Sequence, residues 1–273
     1  MGFGTHRGRA KEDIAVSVFV IAEAGVNHGG DVGQALLLAN AAKEAGADAV
    51  KFQMFDSKRL WGDDRIAHLE LDEAEMANVA WHCKAIGIEF LCTPFGVPEV
   101  EFLRPLLRRV KVASGCLERW DLLAAVLATG LPVILSTGMA DMDRVAGAAA
   151  MFHVEHLTLL HCTSSYPCQT EEVNLAAMDA LRARWPHLAG VGYSDHTPGI
   201  VIALAAVARG AAVLEKHLTM DRQAEGPDHK ASIEPKEFRI MVDAIRTVEA
   251  ALGSPEKRLQ PSEAATAAQW YGH

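Results

Sequence analysis

The chain of 273 residues is half hydrophobic, enough to bury the core of one barrel-sized domain. A formal charge of −9 and a pI near 5.7 exclude a general nucleic-acid or anionic-membrane surface, although a few local cations could still hold an anionic substrate. The five cysteines (Cys83, Cys92, Cys116, Cys162, Cys168) are scattered without metal-ribbon spacing and read as reduced thiols of a cytoplasmic protein.

Residues 1–17 carry His6, Arg7, Arg9 and Lys11 without a clear period, so a loose arm or bottom cap is expected there. Val16 to Ala22 is apolar but too short to span a bilayer, and position 6 lacks the Ser or Thr of a myristoylation signal. Apolar strand-like runs then follow at 18–23, 48–53, 88–93, 110–114, 132–136, 157–162, 190–194 and 212–216. Most are continuously apolar, as parallel strands covered on both sides are. Helical stretches lie between them. Residues 33–45 place Leu36, Ala39, Asn40 and Lys43 at helical spacing, with Gly46 as a C-terminal stop; 118–129 and 198–209 also end in glycine, at Gly130 and Gly210. A last helix covers about 236–252, and 254–273 form a polar tail. Eight β-α units predict a single-domain α/β fold, a (β/α)8 TIM barrel over 18–253. The competing open doubly wound sheet is disfavoured because Ala24 to Gly30, after the first strand, lacks a dinucleotide-binding fingerprint.

In such a barrel the strands release their C-terminal ends on one face, where chemistry collects. His196 and His217 end the tripeptides Ser194-Asp195-His196 and Glu215-Lys216-His217, each after an apolar strand, and two imidazoles so placed can converge on one metal ion. Lys51 and Lys111 sit inside apolar strands, which is expensive unless each meets an anion or serves as a Schiff base. With hydroxyls at Ser114, Ser136, Ser164 and Ser194 they resemble a cage for a phosphate and a carboxylate. The plain alternative is that the lysines pair with barrel carboxylates. Glu23, at the end of the first strand, is the matching acid, suited to proton transfer or to charge balance.

The ordered motifs resemble those of the sialic acid synthases, the N-acetylneuraminate synthases and their legionaminic and pseudaminic acid relatives. They run from Val20 to His28, through Ala47 to Gln53, Phe90 to Phe95, Leu135 to Met139, Leu160 to Thr163 with Tyr166-Pro167, Gly192 to Thr197 and Glu215 to Thr219, and end at Glu225 to His229. The resemblance covers about residues 18–263. It implies condensation of phosphoenolpyruvate with an N-acylamino sugar aldehyde such as N-acetylmannosamine, giving a nonulosonic acid and phosphate. It also implies a divalent metal held by His196 and His217, Mn2+ first with Mg2+ or Co2+ as alternatives. Phosphoenolpyruvate would lie on Lys51, Lys111, Ser114, Ser136, Ser164 and Ser194. Glu23 and His217 would be catalytic, with Tyr166 and Asp228 facing the sugar.

Three departures from the family pattern stand out. Cys116 follows Ser114-Gly115 where the family commonly has an acid. The loop between Phe55 and Leu71 is short for one that encloses a sugar. The chain stops about where members continue into an antifreeze-like domain that lends an arginine to a partner's site, so a barrel without that domain is expected. A symmetric homo-oligomer, a dimer, is expected to cover the mouth, with Trp270 and Tyr271 of the tail as a contact. Two other readings stay open: a Schiff-base aldolase using Lys51 or Lys111, and a non-catalytic barrel that binds sugar phosphates.

Overall fold

The computed structural model describes residues 17–272, so most of the arm expected at 1–17 lies outside the described residues. Eight parallel strands occupy β1 (Phe19–Gly25), β2 (Ala49–Met54), β3 (Glu89–Pro94), β4 (Val110–Val112), β5 (Val133–Ser136), β6 (Leu157–His161), β7 (Gly190–Asp195) and β8 (Val213–His217). Their order is β3-β2-β1-β8-β7-β6-β5-β4. Pairing of β1 with β8 excludes an open doubly wound sheet, and β3 lies against β4 to complete the ring. The chain is a (β/α)8 barrel.

The helices are α1 (Val32–Glu44), α2 (Ser57–Trp61), α3 (Glu73–Ile86), α4 (Val97–Leu103), α5 (Trp120–Ala128), α6 (Met142–Ala149), α7 (Ala177–Arg184), α8 (Val201–Ala208), α9 (Pro235–Leu252) and α10 (Ala264–Tyr271). Local chemistry sets their ends. Asp31, Asp72 and Asp141 accept from the backbone N–H three residues on, Asp72 within a capping box completed by Glu75. Gly87 ends α3 in the left-handed region at φ 73°, which a side chain would resist. α1 buries Ala35, Leu38, Ala39, Ala41 and Ala42, because small residues let it nest against the sheet, α3 and α9. Asn40 instead hydrogen-bonds the His82 ring at 2.8 Å.

Two apolar layers meet at the strands. Outward residues join the helices in the main core, while Ile21, Ala49, Leu91, Ile134, Leu160 and Val213 form a separate plug inside the barrel with Phe19 beneath. Two residues further along those same strands stand Glu23, Lys51, Thr93, Ser136, Cys162 and Glu215. The strand period of two therefore lifts each chain from an apolar floor to a polar layer at the mouth. Gly192 belongs to this packing: a Cβ there would come within 2.2 Å of the Val213 carbonyl oxygen. All five cysteines are free and buried, and no described helix is long and apolar enough to cross a membrane. The tail is not packed on the barrel: α10 is exposed along its length, with Trp270 and Tyr271 70% and 85% accessible.

Candidate active site

Alternation along β7 and β8 sorts the two histidine tripeptides. Ser194, His196, Glu215 and His217 point into the mouth, and the middle residues point outward to each other. Lys216 Nζ meets Asp195 Oδ2 at 2.9 Å with both side chains fully buried, and Lys216 also donates to the Thr197 carbonyl oxygen. Asp195 Oδ1 accepts from the Thr197 backbone N–H at 2.9 Å and its hydroxyl at 2.7 Å, so the outward pair is fully bonded and anchors the loop after β7.

Inside the mouth, charge is concentrated and less completely paired. Lys51 Nζ lies 2.9 Å from Glu23 Oε2 and 3.6 Å from Glu215 Oε2, and donates to Thr93 Oγ1 at 3.1 Å. Lys111 Nζ donates to Ser136 Oγ at 2.6 Å and sits 3.9 Å from Glu215 Oε1, which also accepts from Ser194 Oγ at 2.8 Å. Gln53 Nε2 donates to Glu23 Oε1 at 2.9 Å. Glu23 Oε2 is held by the Lys51 ammonium, whereas Glu215 Oε2, farther from it, accepts no hydrogen bond. The two lysines thus pair with barrel carboxylates, and the pairing leaves Glu215 Oε2 without a hydrogen bond beside a cavity.

The electrostatics follow from burial and these neighbours. Burial pushes the Glu23 carboxyl up to about 7 against the pull of the Lys51 ammonium, and the Glu215 carboxylate adds to the rise. Burial acts the same way on Glu215, but the Lys111 and Lys51 ammoniums overcome it and hold that carboxyl below the usual carboxylate range. Burial would lower Lys51 too; the Glu215 and Glu23 carboxylates reverse this and favour its charged form. Lys111 keeps a net lowering from burial, only partly offset by Glu215.

Above this layer the His196 and His217 ring centroids are 5.4 Å apart, and Tyr166 packs against both. Burial lowers each imidazole to about 4, so both are neutral and carry lone pairs at physiological pH. His196 Nδ1 is held 2.7 Å from the Thr163 carbonyl oxygen, while His217 Nδ1 is buried without a hydrogen-bond partner, 3.7 Å from Asp228 Oδ2. These two rings are the groups that could hold a cation. Among the described residues no cluster of three or more His, Cys, Asp or Glu side chains offers a fuller ligand set. On the far wall Ser114 Oγ accepts from the Gly138 N–H at 3.0 Å. A Cβ on Gly138 would come within 2.3 Å of Ser164 Oγ and 2.9 Å of Ser114 Oγ, so the bare glycine keeps the space between these hydroxyls open.

One cavity of about 500 Å³ at the mouth is lined by Glu23, Lys51, Lys111 and all four predicted serines, and also by Tyr166, His196, His217 and Asp228. Sequence reasoning missed Glu215, Gln53 and Thr93. The strand period was the available signal, since each lies two residues from a predicted site residue or from an apolar plug residue. Cys116 does not occupy an acid's place in the cavity: a 3-10 turn over Ser114–Cys116 breaks the alternation and turns the thiol into the outer core. The loop from Phe55 to Leu71, expected to be too short to enclose much, folds as α2 and a 3-10 turn at Ala67–Leu69 and walls one side of the cavity.

Fold and site together define a barrel whose mouth holds a buried cluster of lysines and carboxylates beneath an imidazole pair. The NeuB family model matches residues 38–257. The chain is 39% identical over 276 residues to the N,N'-diacetyllegionaminic acid synthase of Legionella pneumophila, covering 91% of this chain and 77% of that one. It is 37% identical over 268 residues to the human N-acetylneuraminate-9-phosphate synthase, covering 90% and 74%. The crystal structure of an N-acetylneuraminic acid synthetase from Leptospira borgpetersenii, in complex with citrate, superposes with a TM-score of 0.87 at 35% identity, covering 95% of this chain and 94% of that one. The chain belongs to the NeuB family and is an enzyme of the transferase type.

Proposed function

We propose that the chain condenses phosphoenolpyruvate with an N-acylamino sugar aldehyde and water, giving a nonulosonic acid and inorganic phosphate. The observation that carries this reading is the cage itself: two buried lysines with hydroxyls around them, lining a cavity. An incoming phosphate and carboxylate give Lys51 and Lys111 charge-assisted partners, and Ser136 and Ser194 supply hydroxyl donors beside them. Ser114 and Ser164 border the open space that Gly138 leaves. Carbon 3 of phosphoenolpyruvate bonds to the sugar aldehyde carbon, whose oxygen becomes a hydroxyl, while water adds at carbon 2 and phosphate departs; of the water's two protons one balances that hydroxyl and the other leaves with phosphate. Glu23, poised near neutrality, takes a proton of that water. Tyr166 and Asp228 face the sugar from the rim.

The imidazole pair fits a divalent cation, Mn2+ first and Mg2+ or Co2+ otherwise. Both rings are neutral, His196 has its Nδ1 fixed by a backbone carbonyl, and His217 keeps a buried nitrogen without a hydrogen-bond partner. Such an ion, when bound, supplies Lewis acidity that polarises the aldehyde. The competing Schiff-base reading finds support in the lowered ammonium of Lys111. Borohydride trapping with pyruvate separates the two, since only an imine is captured covalently. We also propose a cytoplasmic homodimer, supported by the free buried cysteines and by the exposed Trp270 and Tyr271 on α10. Sedimentation of the full chain beside one ending at Ala264 tests it. Phosphate release from phosphoenolpyruvate, measured with Mn2+ across a panel of acylamino sugars, tests the reaction. Release should need both sugar and metal. Sugar-independent release would mean a different reaction.

A further inference from the structure

The cavity is two-sided. Its floor is the charged layer of Glu23, Lys51, Lys111 and Glu215, and its opposite wall is apolar, built by Phe55, Leu60, Ile66 and Leu69 with Val26 and Phe95 behind them. This wall is fixed in place. Asp56 caps α2 through the Arg59 N–H at 2.7 Å, and Arg59 ties it to Glu99 of α4 at 3.1 Å. Ser57 Oγ bonds the Asp63 carbonyl oxygen at 2.8 Å, and Gly30, at φ 76°, admits the His68 carbonyl to within 2.1 Å of where a Cβ would be.

Besides the floor lysines, the cation that lines the cavity is Arg65, at the rim. Its guanidinium is held in a fork by Asp63 of its own loop, at 2.8 Å and 2.6 Å. The carboxylate on the acceptor side is Asp228. A second phosphate brought here would face apolar side chains and a like charge, and would have to draw Arg65 away from Asp63.

Phosphoenolpyruvate is anionic at both ends and belongs on the floor, so the co-substrate meets the wall. Resting on the condensation reading above, we infer that the acceptor is an uncharged acylamino sugar whose end remote from the aldehyde carries apolar substituents, such as a second acylamino group and a deoxy carbon, and not a sugar phosphate. Leu60 and Ile66 are the specificity-determining residues.

The test uses the full chain with phosphoenolpyruvate and Mn2+, comparing 2,4-diacetamido-2,4,6-trideoxymannose with N-acetylmannosamine 6-phosphate. Phosphate release should show a kcat/KM about a hundredfold higher for the diacetamido sugar, the scale on which apolar pockets discriminate. Leu60→Asn should cut that value about tenfold through the sugar KM, leaving the phosphoenolpyruvate KM in place. Ile66→Arg should move preference toward the phosphate and serves if the first variant fails to fold. Equal use of the two sugars, or preference for the phosphate, overturns the inference. If neither sugar releases phosphate, calorimetric binding decides: tighter binding of the diacetamido sugar keeps the inference while the synthase reading falls, and equal or weaker binding sinks it.

Discussion

Strands β7 and β8 carry two buried charge systems back to back, and the contrast shows what marks a site. Outside the barrel, Lys216 and Asp195 are wholly inaccessible, and each charged group is answered by its partner and by Thr197. Inside, Lys51, Lys111, Glu23 and Glu215 are just as buried. Glu215 Oε2, however, accepts no hydrogen bond, and the cluster borders a cavity. Burial of charge is common to both. Incomplete bonding beside a cavity belongs to the inner one, and there two ammonium groups can exchange a carboxylate partner for an incoming anion.

The contrast breaks most sharply at His217. His217→Ala should bring metal-dependent turnover down to that of a protein-free control while a single cooperative unfolding transition persists, because mouth residues serve chemistry more than stability. Retained activity in chelated buffer would dissociate this imidazole from the metal. On the outer system the expectation inverts. Asp195→Ala leaves Lys216 buried without its counter-charge and should cost about 3–5 kcal/mol of unfolding free energy in urea titrations. A loss under about 1 kcal/mol would mean that the outer pair is not the anchor its bonding suggests.

A smaller effect sharpens the inner half. Lys111→Ala removes one of the two ammoniums beside Glu215 and should weaken phosphoenolpyruvate binding by about 1.5–3 kcal/mol, roughly ten- to hundredfold, with a lesser change for the sugar. An unchanged phosphoenolpyruvate KM would place this lysine in the scaffold with Lys216.

Much of this layout can be read from the chain because a period of two governs it. Ile21 to Glu23, Ala49 to Lys51 and Val213 to Glu215 each step from plug to mouth, so apolar runs ending in a charge announce both strand and site. The same step, taken backward from His217, leads past Lys216 to Glu215. Where the period fails, so does the reading. Cys116 follows Ser114 in a tight turn, where sequence neighbours no longer alternate, and its thiol enters the outer core. The wall over Phe55–Leu69 rests on a five-residue helix and a tertiary apolar cluster, which leave no repeat in the sequence.

The finest distinction between the two systems is in their protons. The Glu23 carboxyl rises from an ordinary value near 4.5 to about 7 because burial disfavours its charged form. Between those values the folded chain binds the proton more tightly than the unfolded chain, so this group's contribution to stability falls as pH rises from about 4.5 through 7. Glu215 is depressed, and its contribution is present at neutral pH and lost only in acid, below the ordinary carboxylate value. Glu23→Gln cannot ionise, so the ligand-free variant should gain thermal stability over the parent as pH passes 7, by an increment that vanishes near pH 4. In turnover the sign reverses. A base that accepts the water proton must be ionised, so the parent's kcat should climb through a limb near pH 7 that Glu23→Gln lacks, with a lower plateau. A variant that keeps the limb would assign the proton to another group, and a melting difference that does not depend on pH would leave Glu23 as one more paired charge, like Asp195.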